Sequence, residues 1–152
     1  MLLCKEILKD QNNKEVAIYL ITNDLSLEKD KMLKILIVDD DVSITELMKA
    51  LVKMEGHEAI TVNDSLQAMD IAKSVKPDLI TLDLMMPELT GFELCKMFAK
   101  DPAFSNTPIV IVSAKDDPES RQQALDSGAK DYLTKPFLVD DFIGMINLLT
   151  QS

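Results

Sequence analysis

The sequence predicts an α/β domain over residues 33–152, built on an open, parallel, five-stranded sheet with helices on both faces. From residue 33 onward, short runs rich in β-branched residues alternate with helical patterns. Most of these runs are continuously apolar rather than alternating, which is typical of parallel strands covered on both faces. Strand–helix alternation of this regularity implies a parallel sheet with right-handed crossovers.

Five strands and five helices account for this domain. The predicted strands are KILIV (34–38), EAITV (58–62), DLITL (78–82), PIVIV (108–112) and DYLT (131–134). The helices are bounded by glycines, prolines and capping residues. They are predicted to run from after Asp41 to Gly56, from about Asp64 to the break at Pro77, from after Gly91 to before Pro102, from DDPES (116–120) to Gly128, and over roughly residues 138–150.

Residues 1–32 do not fit this alternation and are predicted to be an N-terminal extension. VAIYLI within it is compatible with a strand, but the charged segment LEKDKM follows. Met32 stands directly before the first regular strand, so a loosely attached leader, for example from an upstream start codon, is one interpretation. An ordered element on the sheet edge or a contact for a partner is the other.

The composition excludes several functions. A net charge of −10 and an isoelectric point near 4.5 argue against non-specific binding of nucleic acid or an anionic membrane. No apolar run is long enough to span a membrane, and the N-terminus lacks the features of a signal peptide. Cys4 and Cys95 lie far apart, which indicates two reduced thiols in a cytoplasmic protein. The single histidine, His57, is predicted to be a surface residue.

Polar residues occur where four of the predicted strands end. In a doubly wound sheet, ligands bind beyond the carboxyl ends of the strands. Each such residue has a plain structural explanation by itself, such as a helix cap, a loop hydroxyl or a surface charge. Their shared position favours a common site instead. The residues at these ends are Asp39, Asp40, Asp41, Asp83, Ser113 and Lys135.

The chemistry of this set indicates a metal-assisted phosphoryl site. Asp39, Asp40 and Asp83 offer only oxygen ligands, which suit Mg²⁺, and the absence of nearby histidine or cysteine disfavours zinc. A carboxylate beside Mg²⁺ can attack phosphorus to give an aspartyl phosphate. A hydroxyl and an ammonium group would then bind the transferred oxygens and offset their charge.

With these residues in place, residues 33–152 resemble the receiver domain of bacterial two-component response regulators. The matching segments are ILIVDDD, DLITLDLMMPELTGFEL, IVIVSAK and GAKDYLTKPF. The resemblance implies a flavodoxin-like sheet with strand order 2-1-3-4-5. The last predicted helix also ends the sequence, so a stand-alone, chemotaxis-regulator-like phosphoprotein is expected.

The resemblance also implies a role for individual residues. Asp83 corresponds to the phospho-acceptor, while Asp39, Asp40, Asp83 and the backbone carbonyl of Met85 would hold Mg²⁺. Ser113 and Tyr132 correspond to the switch residues and Lys135 to the phosphate-binding lysine. The remaining correspondences are Met85 and Lys115 in the positions that tune phosphoryl lifetime, Pro136 in a cis peptide bond, and Pro87 and Gly91 in the turn after the acceptor.

Partners are implied in the same way. A histidine kinase or a histidine phosphotransfer protein would donate the phosphoryl group. A protein target is expected on the face formed by the fourth helix, the fifth strand and the fifth helix. On the last helix, a core stripe is predicted at Phe142, Met145, Ile146 and Leu149, with Ile143 and Leu148 on an exposed rim near Asp140 and Asp141. The segment beyond Lys135 has no basic residue, so dimerisation for DNA binding through an arginine there is not expected.

Two alternatives remain open. An aspartyl-nucleophile phosphatase of the haloacid dehalogenase type would need a second aspartate two residues after the nucleophile, where Met85 stands. A degenerate receiver that binds partners without phosphorylation would be free to lose the acidic, hydroxyl and lysine set, which is complete here. The favoured prediction is therefore a phosphorylation-controlled signalling module that is not an enzyme for other substrates.

Overall fold

A computed structural model describes residues 5–9, 15–19 and 31–151, and the chain divides into two compact units, Met1–Met32 and Leu33–Ser152. In the first unit, strands β1 (Lys5–Lys9) and β2 (Glu15–Tyr19) pair antiparallel, with Lys5 opposite Tyr19 and Lys9 opposite Glu15. The strand predicted in VAIYLI is therefore present through Tyr19. Its last two residues and Cys4 lie outside the described residues.

The second unit contains a five-stranded parallel sheet. Its strands are β3 (Lys34–Val38), β4 (Glu58–Val62), β5 (Leu79–Leu82), β6 (Ile109–Ser113) and β7 (Asp131–Thr134). The order is β4-β3-β5-β6-β7, which is 2-1-3-4-5 when counted from β3, as predicted. Strand β6 begins one residue later than predicted and includes Ser113, because that residue still pairs with Thr134 of β7.

Helices cover both faces of the sheet. They are α1 (Val42–Met54), α2 (Ala68–Val75), α3 (Gly91–Lys100), α4 (Pro118–Asp126) and α5 (Val139–Thr150). Short 3-10 turns precede α2 at Ser65–Gln67 and follow α3 at Pro102–Phe104. Within the described parts of the chain, no helix has both the length and the apolar character needed to cross a membrane.

Local capping explains where three of these helices begin. The Asp41 carboxylate accepts hydrogen bonds from the backbone N–H groups at the start of α1, so this aspartate caps a helix. Thr90 and Glu93 form a reciprocal capping box at the start of α3. Asp117 caps α4, where Pro118 occupies the first turn. The short-range signals used to predict these helices therefore act as expected.

The core forms two apolar layers, one on each face of the sheet. Alternate residues of β3 enter opposite layers, with Ile35 and Ile37 packed beneath α1 and α5, and Leu36 and Val38 packed beneath α2, α3 and α4. All four side chains are almost fully buried. Burial of an aliphatic side chain of this size stabilises the fold by roughly 1.5–3 kcal/mol. This two-sided burial is why the strands read as continuous apolar runs.

Most of the core-facing stripe predicted for the last helix, α5, is confirmed. Phe142, Met145 and Ile146 are buried, and Leu149 packs against the same core layer. The prediction for Ile143 is wrong, since this side chain also packs against that layer. Leu148 is 69% exposed, as expected for the rim.

His57 is only partly a surface residue. Its ring is half-buried, and Nδ1 accepts a hydrogen bond of 3.2 Å from the backbone N–H of Leu33. The bond ties the turn at Gly56, where φ is +84°, to the start of β3. The prediction of a plain surface histidine missed this contact because its partner lies 24 residues away.

Candidate functional site

The polar residues at the strand ends meet at the carboxyl edge of the sheet. Carboxylate oxygens of Asp39, Asp40 and Asp83 all lie within 4.8 Å of one another. The Lys135 ammonium lies 2.5 Å from Asp39 Oδ2 and 3.5 Å from Asp83 Oδ2. Asp39 and Asp83 are buried, with 2% and 6% of their surface exposed, whereas Asp40 is open to solvent. Parallel strands thus bring four side chains from three separate loops into one cluster.

The donor set of this cluster fits Mg²⁺. The ligand atoms are all carboxylate oxygens, and the exposed side at Asp40 leaves room for the water molecules that Mg²⁺ normally retains. The three carboxylates and the one ammonium leave two negative charges in excess. Crowding that excess around two buried carboxylates is unfavourable without a cation, since like charges at this distance repel each other. A divalent ion would match the excess.

Asp83 is the carboxylate most affected by its surroundings. Burial and the charge of Asp39 raise the pKa of Asp83, while the Lys135 ammonium, the Met85 N–H and the Ser113 hydroxyl oppose that rise. The Met85 N–H donates to Asp83 Oδ1 at 3.3 Å. The folded protein therefore holds a proton on Asp83 more tightly than the unfolded chain does, and ionised Asp83 lowers the stability of the metal-free fold.

Lys135 is positioned by the sheet and by its ion pairs. Its backbone N–H donates to the Ser113 carbonyl at 2.8 Å, and the Lys135–Pro136 peptide bond is cis. Only 15% of the Lys135 side chain is exposed. The sequence indicated a metal ion as the positive group beside VDDD, and the structure adds Lys135 as a second, built-in counterion. This contact joins residues 96 positions apart.

The loop between β5 and α3, residues 84–90, follows Asp83 and is termed the acceptor loop. It is held where α3 begins, because the Gly91 N–H donates to the Leu84 carbonyl at 3.2 Å. A Cβ atom on Gly91 would lie 2.2 Å from the Asp83 carbonyl oxygen, so only glycine permits this approach. The side chain of Met85 is 59% exposed beside the cluster, and Glu88 has a φ of +69°.

Ser113 and Tyr132 contact the same residue beyond β6. The Ser113 hydroxyl, which is fully buried, accepts a hydrogen bond of 3.3 Å from the Lys115 N–H. The Tyr132 hydroxyl donates to the Lys115 carbonyl oxygen at 2.5 Å. Lys115 thus links the hydroxyl beside Asp83 with the aromatic ring on β7.

The contact between Arg121 and the ring of Tyr132 was not predicted from the sequence. The Arg121 guanidinium lies 4.8 Å from the centre of the Tyr132 ring. It also donates to Asp116 Oδ1 and, at 2.6 Å, to the Thr134 hydroxyl. The pKa of Asp116 is lowered, chiefly by its hydrogen bond to Arg121. No local pattern marks Arg121 as a partner of Tyr132, because the two residues lie on different elements.

The fold and the site together define a class of protein, namely doubly wound α/β domains with a lysine-paired acidic cluster at the carboxyl edge of the sheet. The family model of the response regulator receiver domain matches residues 35–147. The chain therefore belongs to the response regulator receiver domain family, whose members are the phosphorylation-controlled signalling modules of two-component systems.

Individual relatives agree with this assignment. The chain is 36% identical over 120 residues to the "DNA-binding dual master transcriptional regulator RpaA" of Synechocystis, covering 79% of this chain and 50% of that protein. Among solved structures, Vibrio cholerae chemotaxis protein CheY4 matches with a TM-score of 0.74 and 30% identity, covering 78% of this chain and 99% of that one. The receiver domain of Francisella response regulator 1452 matches with a TM-score of 0.72 and 35% identity, covering 78% and 96%. The chain spans about half the length of the curated relatives it matches.

Mg²⁺ is expected to raise the melting temperature of the protein. An ion that binds only the folded state stabilises it by mass action, by about 2.7 kcal/mol at a free concentration one hundred times its Kd. Asp40→Asn should weaken Mg²⁺ binding at least tenfold, yet leave the metal-free protein equally or slightly more stable because one repelling charge is removed. Thermal melts across a Mg²⁺ titration measure both effects.

Glu58→Gln serves as the matched control for this experiment. It removes one exposed negative charge at the amino end of β4, the opposite edge of the sheet. Its Mg²⁺ response should equal that of the wild type. A metal-free protein strongly destabilised by Asp40→Asn would contradict the repulsion argument.

Proposed function

We propose that this protein accepts a phosphoryl group on Asp83, with Mg²⁺ held by Asp39, Asp40, Asp83 and the backbone carbonyl of Met85. The observation that carries the proposal is the cluster itself, in which three carboxylates lie within 4.8 Å and Lys135 contacts two of them. Clustered like charges are unfavourable for stability, so their presence is better explained by function than by folding.

The reaction follows from the placement of each group. A carboxylate oxygen of Asp83 attacks the phosphorus of the donor, which forms an O–P bond and breaks the bond between phosphorus and the donor atom. Bound Mg²⁺ would neutralise negative charge between the donor phosphoryl group and the carboxylates. Lys135, already 3.5 Å from Asp83, then pairs with a phosphoryl oxygen, and the Ser113 hydroxyl donates to another.

The structural effect of phosphorylation would be transmitted from Asp83 to the protein surface through Lys115. Rotation of the Ser113 side chain toward the phosphoryl group would move its oxygen away from the Lys115 N–H that donates to it. The Lys115 carbonyl also accepts from the Tyr132 hydroxyl, so movement of this segment repositions the Tyr132 ring. Phosphorylation would shift the balance between two existing conformations of the protein rather than create a new one. Unphosphorylated protein should therefore still bind its target, but more weakly.

The target is proposed to be a protein that contacts the face formed by α4, β7 and α5. This face carries Tyr132 and Arg121, and α5 begins with the acidic Asp140 and Asp141. Leu148 on α5 is 69% exposed. A mixed apolar and acidic surface favours a protein partner over the phosphate backbone of DNA.

The donor is proposed to be a histidine kinase or a histidine phosphotransfer protein, in keeping with the family. We place the signalling activity in residues 33–152 and propose a cytoplasmic location, which suits the buried, unpaired Cys95 thiol. Met85 and Lys115 stand two residues after Asp83 and Ser113 with exposed side chains, and they are proposed to tune phosphoryl lifetime. No enzymatic activity on other substrates is proposed.

Incubation with acetyl phosphate and Mg²⁺, followed by intact mass measurement, tests the proposal. A stable mass increase of one phosphoryl group is expected. Rapid release of inorganic phosphate without accumulation would favour a phosphatase. No reaction in the presence of bound Mg²⁺ would favour a module that binds partners without phosphorylation.

Ser113→Ala is expected to separate phosphorylation from output. The variant should still bind beryllofluoride, a mimic of the phosphoryl group, because Asp83 and the metal ligands are unchanged. Chemical-shift mapping should show large perturbations at Tyr132 and along α5 in the wild type, and much smaller ones in the variant. Perturbations in the wild type that are confined to the metal site, and absent from Tyr132 and α5, would contradict the proposed role of the face formed by α4, β7 and α5.

A further inference from the structure

The segment between β4 and α2, residues 63–67, contributes no residue to the proposed site, but its side chains hold both loops that carry the carboxylates. We propose that this segment is a brace that keeps the two halves of the Mg²⁺ site in register, with Ser65 and Asn63 as its positioning residues. The inference rests on the proposed function and extends it to residues outside the site.

Ser65 holds the acceptor loop. Its side chain is 4% exposed, and its hydroxyl donates to the Pro87 carbonyl at 2.8 Å and accepts from the Leu89 N–H at 3.1 Å. These two backbone groups flank Glu88, whose φ of +69° is unfavourable for a residue with a side chain. Such a conformation persists only where the surroundings impose it. The Ser65 hydroxyl, which bonds on both sides of Glu88, supplies that restraint.

Asn63 holds the other half of the site. Its side-chain amide donates to the Asp39 carbonyl at 2.9 Å and to the Thr45 hydroxyl at 3.0 Å. Thr45 is fully buried, and its hydroxyl donates to the Val42 carbonyl in the first turn of α1. The amide therefore ties the acidic turn after β3 to the helix that follows it.

The position of the segment in the sheet explains how it reaches both loops. Strand β4 is at the edge of the sheet and β3 lies between it and β5. The segment leaves β4 and crosses above the carboxyl end of β3, where Asp39 and Asp40 lie, to contact the loop after β5. Its own shape is set locally, because the Asp64 carboxylate accepts from the Leu66 N–H at 3.0 Å and opens the 3-10 turn.

The expected consequence concerns Mg²⁺ affinity. The ion needs oxygens from both loops at once. Because the brace orders these loops before the ion binds, less binding free energy is lost in ordering them. Ser65→Ala removes both bonds to the acceptor loop. Mg²⁺ binding should weaken about three- to tenfold, the factor expected for one net hydrogen bond.

Ser127→Ala provides a matched control. Ser127 is also 4% exposed, and its hydroxyl donates to the Gln123 carbonyl at 2.7 Å, at the end of α4 away from the site. Both variants lose a buried hydroxyl, and urea unfolding without metal measures how far each one is destabilised. Isothermal titration calorimetry with Mg²⁺ then separates a positioning role from a merely structural one.

Weaker Mg²⁺ binding by Ser65→Ala, with Ser127→Ala within twofold of the wild type, would support the brace. Equal affinities for the wild type and both variants would overturn it, as would an equal weakening by both variants. If Ser65→Ala does not fold, Asn63→Ala decides, since Asn63 is exposed and its replacement leaves the core intact. Absence of Mg²⁺ binding by the wild type would instead overturn the proposed function.

Discussion

Asp83→Asn is expected to abolish phosphoryl incorporation from acetyl phosphate while leaving the protein folded. The amide preserves the shape of the side chain but removes the nucleophilic oxygen. It also removes the charge that makes this buried site unfavourable, so the metal-free variant should be equally or more stable than the wild type. Intact mass measurement after short incubations, with Asp70→Asn on the exposed side of α2 as control, tests the chemistry.

The sign of the pH dependence follows from the direction of the shift. Because the folded-state pKa of Asp83 is raised above 3.8, chiefly by burial, the folded protein binds the proton more tightly. The unfavourable contribution of Asp83 is absent below the unfolded-state pKa. It grows as pH rises through the folded-state pKa and is fully present above it. The stability advantage of Asp83→Asn should therefore grow over that interval, as measured by urea unfolding at several pH values.

Labelling of Asp83→Asn at the wild-type rate in a short assay would show that the acceptor is assigned wrongly. Slow labelling of another carboxylate or of Ser113 would not contradict the assignment, because its rate would fall below that of Asp83 in the wild type. A variant clearly less stable than the wild type without metal would contradict the argument from burial and repulsion.

Gly91→Ala is expected to destabilise the protein by about 1–3 kcal/mol or more, the range for overpacking a well-packed site. The added Cβ would lie 2.2 Å from the Asp83 carbonyl oxygen and 2.8 Å from Leu84 Cα. Both are backbone atoms, so relief requires α3 to move away from the end of β5. Mg²⁺ binding should weaken as well, because that movement displaces Asp83.

Gly144→Ala is the matched control, since Gly144 lies within α5 and a Cβ there meets no atom within 4 Å. Alanine is favoured over glycine inside a helix by roughly 0.5–1 kcal/mol. The two substitutions are chemically identical and should shift the urea midpoint in opposite directions. A Gly91→Ala midpoint at or above the wild-type value would show that the contact with Asp83 does not restrict this position.

Local patterns in the sequence were sufficient to predict the parallel sheet and the helix starts, whereas the strand order was implied by the family resemblance. Apolar runs, caps and breakers act over a few residues, so KILIV, EAITV and DYLT match their strands residue for residue. The carboxyl edge of a parallel sheet is also predictable, because every strand ends on the same side. Asp39, Asp40, Asp83 and Lys135 were accordingly brought together as expected.

The contacts between those elements could be identified only from the tertiary structure. Ser65 bonds to Pro87 across 22 residues, and Lys135 pairs with Asp39 across 96. Helix propensity at Gly91 suggests that alanine would stabilise the protein, whereas the approach of the added Cβ to the Asp83 carbonyl oxygen predicts the opposite. These residue pairs form because packed elements bring them close in space. No short-range sequence pattern indicates which distant residues will meet. The local sequence therefore determined which residues reach the edge of the sheet, whereas the packing decided what holds them there.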